Sequence, residues 1–169
     1  GDVQSIQVQS PQLSLSAFRA IAELLPDHPA RSWLLGLQPV GQINQLNLSL
    51  LRQATGGFSG HGTAQLHQVG WQAYETVPGV GNLDAGIEIN GPQARLKLHS
   101  RNFKFDWATK LPAPIVVSSI DADGVVYFDN QGVTIALPKF TVHSLDGEGV
   151  GLLHLWLPRE ADRSPVVLL

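Results

Sequence analysis

The chain contains no cysteine and no methionine. Without cysteine there is no disulfide to staple a small core and no thiolate to hold a metal. That absence suits a reducing and an oxidising compartment equally. Without methionine, even at position 1, the 169 residues read as a piece of a longer protein. Any membrane anchor or targeting signal is then expected outside it. Charge is scarce as well: 15% of residues, against about 25% in an average soluble protein. Lys and Arg stand singly and the net charge is −3, so the basic stripe that nucleic acid requires is missing. Long apolar runs are also lacking. Ile115–Val117, Leu155–Leu157 and Val166–Leu169 are far shorter than the ~20 residues of a membrane span.

What the chain does have is alternation. In ARLKLHSRNFKFDW (94–107) the apolar residues Ala94, Leu96, Leu98, Phe103, Phe105 and Trp107 are interleaved with Arg95, Lys97, His99, Lys104 and Asp106. A period of two places one apolar and one charged face on a strand, and this stretch predicts two of them. GQINQLNLSLL, GHGTAQLHQVGW and LDAGIEIN repeat the pattern, VQSIQVQ opens the chain with a short strand, and residues 114–158 predict about five more. NGPQ, DADG, DNQG and LDGEG supply hairpin connections, with Gly, Asn or Asp where a positive φ is needed. Helical spacing is confined to about residues 15–38. Leu15, Phe18, Ile21, Ala22 and Leu25 form one stripe, with Ser14 or Ser16 as cap and Pro26 as stop, and Trp33, Leu34 and Leu37 form a second. The expectation is a single mainly β domain over 1–169, an antiparallel meander with two short N-terminal helices.

Such a sheet poses a problem of cover. About eight strands at ~4.8 Å make a sheet roughly 38 Å wide, and two helices ~15 Å long and ~10 Å across shield about half of it. About 20 inward apolar side chains, each worth ~1.5–3 kcal/mol on burial, cannot stay wet. The sheet can fold into a sandwich, close into a barrel, or curl into a groove that holds something apolar. The pattern alone does not choose among them.

Motifs for chemistry fail one by one. Asp121-Ala-Asp123-Gly124 lacks the later ligands of a calcium loop, and Asp146-Gly-Glu148-Gly149 fares no better. Gly57-Phe-Ser59-Gly-His61 has His61 in place of the last glycine of a nucleophile elbow. Gly79-Val-Gly81 has Asp84 where a dinucleotide fingerprint needs its third glycine. His67, His99 and His143 alternate with apolar positions and are expected to point to water. No paired carboxylates share an apolar face. No catalytic residue, metal ligand or cofactor is therefore assigned.

Three passages in order carry a resemblance: residues 24–50, 65–100 and 110–135. They contain a helical pair ending in Leu37-Gln-Pro39-Val-Gly41, a Val69-x-Trp71 step and a Pro78-Gly79 loop. A strand pair around Asn90-Gly91 follows, then a Leu111-to-Pro114 segment leading into a hairpin. Together these resemble the periplasmic part of the AsmA-like superfamily, in particular its YhdP-type proteins. The resemblance implies a half-open, taco-like β-groove that carries phospholipid from the inner to the outer membrane of a Gram-negative envelope, in a protein anchored in the inner membrane. The implied partners are phospholipid acyl chains, and envelope membranes through the full-length protein. Alternation then assigns the groove lining to Leu46, Leu48, Leu50, Ile87, Ile89, Leu96, Leu98, Phe103, Phe105, Val133, Ile135 and Leu137. The competing expectation is a closed β-sandwich serving as a structural or partner-docking module without ligand. Edge strands at either end of the sheet, VQSIQVQ or VVLL, are expected to self-associate.

Overall fold

The computed structural model describes residues 5–24, 29–52, 58–75, 77–129, 131–158 and 166–168. The chain runs β1 (Ser5–Ser14), α1 (Ala17–Leu24), α2 (Pro29–Leu37), β2 (Val40–Arg52), β3 (Phe58–Trp71), β4 (Gly79–Gly91) and β5 (Gln93–Asp106). It continues through β6 (Ile115–Phe128), β7 (Gly132–Ser144), β8 (Gly147–Pro158) and β9 (Val166–Leu168). All nine strands form one sheet in sequence order, each antiparallel to its neighbours. The order has no crossover, and the sheet does not close into a barrel. Mainly β, meandering and open, with two short helices: that architecture is present.

Several local expectations need correction. ARLKLHSRNFKFDW is one strand, not two. DADG is no turn: Asp121 to Gly124 lie inside β6, with Asp121 opposite His99 and Asp123 opposite Lys97. Residues 114–158 therefore make three long strands instead of five. Leu13 and Ser14 end β1, and α1 begins only at Ala17. Leu25 and Pro26, expected to close the first helix, lie outside the described residues, as does Gly57. The turns at 90–93 and 145–147 do form, and the Asp129 N–H donates to the Gly132 carbonyl at the connection between β6 and β7. Gly91 takes φ 64 in the first turn, and the Asp129 carboxylate accepts from the backbone N–H groups of Gln131 and Gly132 in the β6–β7 connection, at 2.8 Å each.

The sheet is a single layer. The helices pack on each other at the end of the sheet where β1 leaves and β2 enters, and among the described residues no helix spreads over the strands. They are tied to that rim by the Gln72 N–H donating to the Leu37 carbonyl at 2.7 Å and by the Tyr74 ring, which occupies the space beside Gly36. The largest buried cluster is Ala85, Leu98 and Ile120, packed with Leu66, Leu96, Phe103, Ala122, Phe140 and others. All of these come from five consecutive strands. A sandwich would have brought in side chains from distant strands across a second layer. Here burial on one face comes from curvature, which crowds that face's side chains together.

The curvature has a visible cause. Gly41 (φ 99), Gln68 (φ 48), Asn82 (φ 56) and Asn102 (φ 52) are left-handed and fall side by side on β2, β3, β4 and β5. The Asn82 side-chain amide donates to the Asn102 carbonyl at 2.8 Å. A Cβ on Gly41 would lie 2.4 Å from the Gln68 carbonyl oxygen. Register shifts accompany the row between β2 and β3, β3 and β4, and β4 and β5. Bulges bend and twist a strand, so bulges aligned across four strands crease the sheet along a line perpendicular to them. Asn tolerates the left-handed region and β-branched residues do not. Asn102→Val should therefore cost about 1–2 kcal/mol, and Asn102→Gly much less. Urea unfolding of the two variants measures the difference, and equal midpoints would remove the crease from this account.

Beside the crease, Ser100 is the most buried side chain of all, 1% exposed. Its hydroxyl accepts from the Asp84 N–H at 2.8 Å and donates to the Asp84 carbonyl at 3.1 Å. It replaces ladder bonds that the shift between Gly81 and Ala85 removes. Ser100→Ala leaves both backbone groups without a partner and should lower stability by about 1–3 kcal/mol, read from the urea midpoint.

Candidate functional site

The register settles which residues share the concave face. One row crosses eight strands: Val8, Leu48, Gly62, Ile89, Ala94, Val126, Ile135 and Leu155, and Val167 of β9 is the register partner of Leu155. A second row runs Leu13, Ile43, Leu66, Ala85, Leu98, Ala122, Phe140 and Gly151. Every member of both rows is apolar. Large and small residues complement one another, as an inward-curved surface requires. The Phe140 ring occupies the place of a Gly151 Cβ, and the Leu137 side chain that of a Gly124 Cβ.

All twelve residues assigned to the lining fall on this face: Leu46, Leu48 and Leu50 on β2, Ile87 and Ile89 on β4, Leu96, Leu98, Phe103 and Phe105 on β5, and Val133, Ile135 and Leu137 on β7. They divide into two groups. Leu98 and Leu137, 6% and 5% exposed, are packed away and support the sheet. The other ten are half-buried and offer surface. Alternation missed the lining from β1, β3, β6 and β8, including Ile6, Val8, Leu66, Ile115, Val126, Phe128 and Leu153. Ile6, Val8, Ile115 and Phe128 are among the most exposed large apolar side chains.

Among the described side chains, none on the concave face is charged. The charges stand on the convex face in cross-strand pairs of opposite sign: Glu88 opposite Arg95, and Asp123 between Lys97 and Lys139. His67 meets Asp84 at 2.8 Å, His99 meets Asp121, and His143 lies 3.5 Å from Glu148. These pairs stabilise the outer surface modestly, by a few tenths of a kcal/mol to about 1 each. No group of three His, Asp or Glu among the described residues is placed to hold a metal ion.

The open face shows in the total surface. A compact protein of this mass, 18.2 kDa, exposes about 8,100 Å². This chain exposes 10972 Å², about a third more, in keeping with a sheet that has no second layer. The chemistry such a face offers is apolar contact along its length. No helix of the described residues is long and apolar enough to cross a membrane.

No curated protein and no solved structure matches the chain. A family profile described as YhdP protein matches residues 2–162, nearly the whole sequence. The chain belongs to the YhdP family of AsmA-like envelope proteins.

Proposed function

We propose that this chain is a periplasmic segment of an inner-membrane-anchored protein, and that its concave face carries phospholipid acyl chains on their way from the inner to the outer membrane. The observation that supports this most directly is the apolar face of a one-layer sheet whose side chains are largely half-buried or exposed, including Ile6, Val8, Ile115 and Phe128. Large exposed apolar patches on a protein mark sites that take an apolar partner or ligand. An acyl chain suits this one better than a compact ligand, because the face is long, shallow and without a polar anchor. Contacts distributed over many half-buried side chains hold a chain weakly at each point and leave it free to slide. The open edges fit a role within a longer assembly. β9 covers β8 only over His154–Trp156, so the Gly147–Leu153 edge is unpaired among the described strands.

A photo-crosslinking residue tests the proposal in cells. Placed at Leu48, Ile89 or Phe105, it should capture phospholipid. Placed at Lys97, on the convex face, it should not. Capture at both faces would indicate general membrane contact. Capture of polypeptide in place of lipid at the concave positions would establish the docking-module reading.

A further inference from the structure

The helix-end rim of the sheet holds a cleft of about 680 Å³, within the size range of small-ligand sites. Its lining includes the row of Val40, Gly70 and Gly81, where β3 and β4 present backbone instead of side chains. It also takes in Trp71 and Val80, which stand in the register row of Phe105. A Cβ on Gly70 would sit 2.9 Å from the Val80 carbonyl oxygen, and the stem of Lys104 lies across Gly81. The start of α1 contributes Arg19 to the lining, and the end of β5 contributes Lys104 and Asp106. The crease supplies Gln68 and Asn82.

The electrostatics of this cleft differ from those of the chain. The whole sequence carries net −3, yet the cleft lining holds two cations, Arg19 and Lys104, and one carboxylate, Asp106, with Glu23 beside Arg19. Arg19 lies 3.6 Å from Glu23 in an exposed pair along the helix, an interaction weak enough for a ligand to displace. Lys104 has no ion-pair partner among the described residues. Asn82 uses its amide N–H on the Asn102 carbonyl, which leaves its side-chain oxygen free to accept from a hydroxyl.

We propose that this cleft binds a phosphate-bearing polar group, with the phosphate between Arg19 and Lys104 and a hydroxylated substituent against Gln68 and Asn82. The two cations come from different elements, α1 and β5. Tetrahedral phosphate oxygens point in divergent directions and can serve both, whereas the two coplanar oxygens of a carboxylate are best met by one guanidinium fork. The phosphate can come from a lipid head group at the rim or from a small phosphate ester in solution. The site does not depend on acyl chains occupying the concave face.

Backbone amide NMR of the chain tests this with three probes: glycerol 3-phosphate, dihexanoyl-phosphatidylglycerol and phosphate-free dihexanoylglycerol. The Gly70, Gly79, Gly81 and Asn82 amides should shift saturably with a phosphate-bearing probe and not with dihexanoylglycerol. Lys104→Gln and Arg19→Gln should each weaken the response about tenfold, and Val40→Phe should obstruct it. Arg101→Gln, a convex-face change outside the cleft, should leave it intact. A response to glycerol 3-phosphate identifies a site for soluble phosphate esters. A response to the phosphatidylglycerol alone identifies a head-group site. No saturable shift with either, or shifts that survive the Arg19→Gln/Lys104→Gln double variant, would overturn the proposal. The acyl-chain reading is monitored separately in the same spectra, through the amides of Leu48 and Ile89.

Discussion

Leu98→Asp should cost the chain about 4 kcal/mol or more, while Lys97→Asp, one residue away, should cost about 1 kcal/mol or less. Leu98 is 6% exposed and lies in the buried cluster with Ala85 and Ile120. A carboxyl group there forfeits about 1.5–3 kcal/mol of apolar burial and then adds desolvation with no partner on that face. A loss of this size is comparable to the whole stability of a domain, about 5–15 kcal/mol, so the variant should be largely unfolded. Lys97 is exposed and stands opposite Asp123, so its replacement by aspartate adds only a solvated like-charge contact. Leu48→Asp separates an open face from a closed core. Leu48 is half-buried on the same concave surface as Leu98 and keeps part of its side chain in water. It should lose about 1–2 kcal/mol, well short of Leu98, because its carboxylate remains hydrated. Urea midpoints for the three variants give the comparison. A Leu48→Asp loss as large as that of Leu98→Asp would mean that another layer covers the face.

The faces of the sheet were legible in the sequence because side-chain direction follows a period of two wherever the strand is regular. All twelve assigned lining residues share one face for that reason. Where strands bulge, the phase slips, and a slip has two readings. In β5 the apolar positions run 94, 96, 98 and then 103, 105, an odd step that looks like a turn at His99–Asn102. The structure keeps one strand and places left-handed Asn102 in it. β7 repeats this: Val133, Ile135 and Leu137 give way to Phe140 and Val142, with Pro138 at the slip. Proline cannot donate to the ladder and is tolerated at a bulge, and the register shifts at that point against both neighbours. DADG misled for another reason. Asp and Gly are turn formers, but here the two Asp side chains face His99 and Lys97 while Gly124 makes room for Leu137. That room is set by a strand more than ten residues away, beyond the reach of any local pattern. The alignment of Gly41, Gln68, Asn82 and Asn102 into a crease, and the cleft beside it, likewise depend on register between strands.

If acyl chains lie on the concave face, affinity should rise with chain length in a defined way. A methylene wholly removed from water contributes about 0.8 kcal/mol, or about fourfold in affinity. The lining side chains are mostly half-buried and the face is open on one side, so a bound chain is shielded on one flank only. About half of the full value, near twofold per methylene, is then expected. A series of fluorescent phospholipids from didecanoyl to dipalmitoyl, presented below the concentration at which they aggregate, should show that slope against the 169-residue chain. Leu48→Asp should flatten it without unfolding the protein, because a hydrated carboxylate then interrupts the row between Val8 and Gly62. Lys97→Gln should leave it unchanged. A slope near fourfold would mean that the chain is fully enclosed, which requires the trough to close over its cargo. A slope of zero, with binding otherwise intact, would place the interaction at the head group and remove the concave face from the transport path.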